Sequence, residues 1–92
     1  MNVENKVYNP AREIKVPAHH KKPNTYYIVS YGLVDWDKNG DFKPAVYIIM
    51  EYNGFRAYQQ PAHIITEKNA DGKSDFDNVM EAINKLKEEY EL

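Results

Sequence analysis

The sequence predicts an α+β fold: a three- or four-stranded antiparallel β-meander packed against one C-terminal α-helix, with an extended N-terminal arm. Three observations predict it. Two Asn-Gly pairs, Asn39-Gly40 and Asn53-Gly54, punctuate runs of Tyr, Val and Ile. After Ser74, the residues Phe76, Val79, Met80, Ile83, Leu86 and Tyr90 recur at spacings of three and four. Ahead of the first run stand Pro10, Pro17 and Pro23, which exclude a long helix from residues 1–24.

Residues 1–24 are therefore expected to form a basic arm. Within it Glu13-Ile14-Lys15-Val16 alternates like a short edge strand that Pro17 ends. Residues 25–92 form a single sheet-plus-helix domain, with strands at about 26–35, 44–53 and 55–60. Asn-Gly is the strongest short hairpin signal, because a type I′ turn needs positive φ at both central residues. Pairing outward from Asn39-Gly40 sets Leu33 opposite Val46, Tyr31 opposite Ile48, Val29 opposite Met50 and Tyr27 opposite Tyr52. The second turn sets Tyr52 opposite Phe55, Glu51 opposite Arg56 and Met50 opposite Ala57. Both turns place their apolar pairs on one face, and a slip of one residue would bury Glu51.

Pro61 interrupts the last strand, and His63-Ile64-Ile65-Thr66 reads as a fourth short strand or a return segment. Residues 68–73 are loop. Ser74 then serves as N-cap, with Asp77 three residues on in capping-box position and Asp75 beside the positive helix end. The apolar stripe of this helix is expected to pack on Tyr27, Val29, Tyr31, Leu33, Val46, Ile48, Met50 and Phe55.

A chain of 92 residues makes one small domain. At this size roughly 60% of the unfolded surface is buried on folding, so self-association is a common supplement. With no cysteine there is neither a disulfide nor a thiolate. Met1 to Lys6 is too polar for a leader, and the apolar run Ala45 to Met50 is too short to span a bilayer. A soluble cytoplasmic protein without membrane contact is the expectation. Charge is uneven: residues 1–24 hold five Lys or Arg against two Glu, whereas residues 67–92 hold four against eight Asp or Glu. The basic arm thus has an anionic partner available in its own helix, or elsewhere.

The face away from the helix carries Tyr26, Tyr47, Ile49, Arg56 and Tyr58, too apolar a set simply to meet water. Three occupants fit it: the arm, a second copy in a homodimer, or another macromolecule. The leading function is a small non-catalytic adaptor, inhibitor or regulator that contacts a protein partner or itself through those five residues. The alternative is a single-stranded nucleic-acid binder that stacks bases on the same tyrosines and follows phosphates with Arg12, Lys15, Lys21 and Lys22. Its order of strands followed by one helix is shared with small dimeric single-strand-binding coactivator domains and with the arm-binding domains of integrases, though no motif of either is present.

Asp35, Asp37, Asn39 and Asp41 match the opening of a calcium loop, a minor alternative. The match fails at the twelfth position, where Val46 stands in place of a bidentate Glu, and a hairpin turn explains the same residues. His19, His20 and His63 lack metal-ligand spacing, and no nucleophile with a base can be assigned. No cofactor and no enzymatic activity are expected.

Overall fold

In the computed structural model, which describes residues 7–20 and 23–92, four strands form one antiparallel sheet and a single helix packs on it. The strands are β1 (Tyr8–Pro17), β2 (Thr25–Val34), β3 (Lys43–Tyr52) and β4 (Phe55–Ala57), and the helix is α1 (Asp75–Tyr90). Each strand pairs with its neighbour in sequence, in the order β1-β2-β3-β4. The α+β architecture expected from the sequence is the one observed.

β1 contains the Glu13–Val16 alternation and runs well beyond it, pairing from Tyr8 opposite Val34 to Pro17 opposite Tyr26. A bulge between Pro10 and Arg12 breaks the register, with Ala11 as the extra residue. The bulge sits against Gly32, where a Cβ would lie 2.4 Å from the Asn9 carbonyl oxygen and 2.6 Å from the Pro10 Cα. Only glycine admits so close a strand approach at that point.

The first hairpin differs from its expected register. β2 and β3 pair Tyr27 with Met50, Val29 with Ile48, Tyr31 with Val46 and Leu33 with Pro44, two residues from the pairing that Asn39-Gly40 implies. The connection is an eight-residue loop and not a two-residue turn, because Asp35 organises it. The Asp35 carboxylate, 5% exposed, accepts the Asn39 and Gly40 amides at 3.1 and 2.9 Å. Positive φ falls on Lys38 and Gly40, and Asn39 spends its side chain on the Asp41 amide at 3.0 Å. A shift of two residues preserves the faces, since side chains alternate with a period of two. The second hairpin has the expected register throughout, with Asn53 and Gly54 both at positive φ.

After β4 the chain returns across the sheet without forming a strand, and Ile65 accepts the Phe76 amide at 3.0 Å. Ser74 caps α1 with both halves of the capping box in place, reciprocally bonded to Asp77. The core comprises Val16, Tyr27, Val29, Met50, Val79, Ala82 and Leu86, with Ala62 and Ile64 packed against it.

α1 lies over β1 and β2. Its buried positions are Asp75, Val79, Ala82 and Leu86, while Phe76 and Met80 are 45% and 39% exposed. The helix is thus turned by about 60° from its hydrophobic stripe. The polar anchor at Asp75 and the small Ala82 bring that side down onto the sheet. Leu33, Val46 and Phe55, expected beneath the helix, are 40%, 37% and 70% exposed. No helix among the described residues is long and apolar enough to cross a membrane.

Candidate functional site

The face opposite the helix is closed over by its own side chains. Ile28 and Ile49 are 1% and 5% exposed although no helix covers them. Arg56 reaches from β4 across the sheet to Glu13 on β1 (2.7 and 3.2 Å) and also holds Glu51 at 3.2 Å. Lys15 completes the lattice, 3.0 Å from Glu51 and 4.6 Å above the Tyr26 ring. Long charged side chains here shield apolar ones with their stems. Burial alone would raise the Glu51 pKa, but Lys15 and Arg56 outweigh it and hold the carboxyl below its ordinary value.

Beside this lattice the Tyr8 ring, placed on this face by the β1 bulge, stacks on Tyr47 at 4.5 Å and on Tyr58 at 5.8 Å. Of the five contact residues expected from the sequence, Tyr26, Tyr47 and Tyr58 are half-buried, Arg56 is ion-paired and Ile49 lies underneath. The Tyr47 hydroxyl is buried without a hydrogen-bond partner among the described residues, and Ser30 opposite turns its own hydroxyl to the Ile28 carbonyl at 3.4 Å. Burial first, then Glu13, Tyr58 and Tyr8, push the Tyr47 phenol up to about 12, with the nearby Ser30 hydroxyl acting weakly in the other direction. Tyr47→Phe is accordingly expected to be neutral or to stabilise the fold by about 1 kcal/mol, read from urea denaturation, because it removes an unsatisfied buried group. A loss above that size would mean the hydroxyl is bonded.

The basic residues considered for phosphate contact are engaged within the chain: Arg12 with Glu89 at 3.2 Å and Lys15 with Glu51. Lys21 and Lys22 lie outside the described residues. The arm thus meets the acidic helix of its own chain through Arg12. Asp35 has both carboxylate oxygens on backbone amides, while Asp37, Asn39 and Asp41 are exposed. No group of three or more His, Cys, Asp or Glu among the described residues is arranged to hold a metal ion.

One polar cluster has no counterpart in the sequence reading. Asp75, 0% exposed at the first position of α1, accepts from the His19 amide (2.9 Å), the His19 Nδ1, the Tyr27 hydroxyl (2.8 Å) and Asn69 (3.5 Å). The Tyr27 oxygen in turn accepts the Ile65 amide at 3.2 Å, and His20 Nε2 lies 3.1 Å away. Burial would raise the Asp75 pKa; the His19, Tyr27 and Asn69 bonds outweigh it and lower it. Burial likewise pushes the Tyr27 phenol far up, so it remains a donor. A carboxylate, an imidazole and a phenol in contact have the parts of a proton relay. Their arrangement is that of a clasp, in which His19, Tyr27 and Asn69 all donate to Asp75. The clasp joins the end of β1 to the start of α1.

Compared with known proteins, the chain matches no family model, no curated protein and no solved structure.

A third region is open. On the helix side, beyond the reach of α1, Leu33 and Val46 lie bare at one end of the sheet and Phe55 at the other, and Phe76 and Met80 project from α1 one turn apart. A side of α1 away from these two, with Asn78, Glu81 and Lys85, faces β1 across an open depression of about 230 Å³. That volume is below the range of small-molecule sites. Alternation shows that Val46 and Leu33 share a face with Tyr27, but nothing in it tells how far the helix extends over them.

Proposed function

We propose that the chain is a small non-catalytic binding protein that engages a protein partner or a second copy of itself through its sheet. The observation carrying this reading is the uncovered end of the helix-side surface, where Leu33 and Val46 remain exposed on adjacent strands; Phe55 is exposed on the same face at the other end of β3. Adjoining exposed apolar side chains such as Leu33 and Val46 mark interaction surfaces. The Tyr8–Tyr47–Tyr58 stack supplies a half-exposed aromatic rim on the other side of the same strands.

The test places a photo-crosslinking phenylalanine analogue at Phe55, or at Tyr26, in the cells that make the protein. Lys85, exposed on α1, serves as control. Specific adducts from Phe55 and not from Lys85 are expected. Adducts from Tyr26 alone would move the contact to the aromatic face, and adducts from neither position would overturn the reading.

A further inference from the structure

The two edges of the sheet are unlike. The outer edge of β1 is protected by Pro10 and Pro17, by the bulge at Ala11, and by Arg12, Glu13 and Lys15. These are the devices by which proteins prevent edge-to-edge pairing. The other edge is protected only in part. β4 pairs with Met50, Glu51 and Tyr52 and with nothing earlier in β3, so on the side away from β2 no strand among the described residues lies beside Lys43 to Ile49. From Pro44 to Met50 this stretch holds no charged residue.

The direction of its backbone groups follows from the second turn. A two-residue I′ turn makes Tyr52 and Phe55 a hydrogen-bonded pair, so Met50 and Tyr52 direct their amides and carbonyls toward β4. The Asn53 amide accordingly points the other way, to the Asn24 carbonyl at 2.8 Å. By the same alternation Val46 and Ile48 direct N–H and C=O to the open edge, and Pro44 directs its carbonyl there.

We propose that this edge pairs antiparallel with the β3 edge of a second copy, about a twofold axis at Val46, to form one continuous sheet. The proposal rests on the binding reading above and names its partner. In that register Val46 exchanges both hydrogen bonds with its symmetry mate, and the Ile48 amide of each copy donates to the Pro44 carbonyl of the other. Proline at position 44 has no N–H to return, so the second bond of each Ile48–Pro44 pair is missing and the Ile48 carbonyl is left to solvent. On the helix side, Val46 meets Val46, and Ile48 meets Pro44, flanked by the exposed Leu33 that pairs with Pro44 within each copy. On the aromatic side Tyr47 meets Ala45, a large residue against a small one. An apolar, self-complementary segment beside a helix that covers only part of the sheet suits an identical copy better than a charged partner.

The absence of cysteine makes the test clean. The hydrogen-bonded pair at the axis has Cα atoms about 5.5 Å apart, within disulfide range. Val46→Cys under mild oxidation is expected to give a covalent dimer, and Lys85→Cys is expected to form no covalent crosslink. Light scattering of the unaltered chain at two concentrations is expected to reach twice 10.8 kDa. Val46→Lys, at a position 37% exposed, is expected to return the mass to that of one chain with an unchanged circular dichroism spectrum. A monomer at both concentrations overturns the proposal, and so does a dimer that persists in Val46→Lys. The crosslinker moved to position 46 separates the two readings. An adduct with a different protein overturns the self-pairing and leaves the binding function standing. A monomer that forms no adduct at 46, 55 or 26 overturns both.

Discussion

Asp75→Ala is expected to cost about 3–5 kcal/mol of folding stability, the usual loss when one member of a buried, hydrogen-bonded charge cluster is removed. The His19 amide, the half-exposed His19 ring and the Tyr27 hydroxyl all lose an acceptor that is itself 0% exposed, and the Tyr27 hydroxyl keeps only the His63 carbonyl at 3.2 Å. A domain of this size has roughly 5–14 kcal/mol in total, so the variant would stand near the edge of folding. Asp75→Asn retains an acceptor and is expected to lose less. Urea denaturation of the three proteins measures both, and a loss under about 1 kcal/mol in Asp75→Ala would mean the clasp holds nothing.

The same site gives a pH dependence with a definite sign. The Asp75 pKa is lowered in the fold, so its contribution is complete above the unfolded value near 4. The contribution is lost as pH falls from there through the folded value. Glu51 has the same sign, and Asp77 is held down to about 2 chiefly by Lys68. The unaltered chain is therefore expected to lose stability steeply below about pH 4. Asp75→Asn, without the titrating group, is expected to show a shallower fall over that interval.

Gly32→Ala is the second large effect. Ordinary overpacking costs about 1–3 kcal/mol, because side chains adjust around the added methyl. Here the obstructing atoms are backbone, the Asn9 carbonyl and the Pro10 Cα, and they cannot swing aside. The first part of β1 must separate from β2, while the pairing from Glu13 to Pro17 can persist. The amide of Asp35, bonded to the Val7 carbonyl at 2.8 Å, reports on this. Its hydrogen exchange is expected to accelerate strongly in Gly32→Ala, and that of Val16 little. Uniform acceleration would mean that β1 detaches as a unit.

The sequence carries the fold through short-range chemistry. Asn53-Gly54 states its turn completely, and Ser74 with Asp77 states where the helix begins, because in both cases the residues that decide are neighbours. Asn39-Gly40 misleads because Asp35, four residues upstream, captures the two amides and builds a wider loop. The face opposite the helix was legible as a set of residues but not as a surface. That Arg56 crosses two strands to reach Glu13 depends on sheet order and twist, which no local pattern contains. The Asp75 clasp was hidden for a similar reason. Asp75 is adequately explained as an acid at a helix N-terminus, and 56 residues separate it from His19. The adjacent histidines were the available signal: both serve one buried oxygen cluster from a position just after a strand.

Because each strand lies beside its sequence neighbour, the sheet can be assembled in step with synthesis. Once residue 57 has emerged, every strand pairing of the finished protein has both of its halves present. What is missing at that stage is the cover. Tyr27, Val29 and Met50, all 0% exposed in the complete fold, wait for a helix that begins at Asp75. A nascent chain of this design spends an interval with a formed sheet and a bare hydrophobic side. Over that interval, chaperone access and crowding by neighbouring copies bear on its fate more than the stability of the finished molecule does.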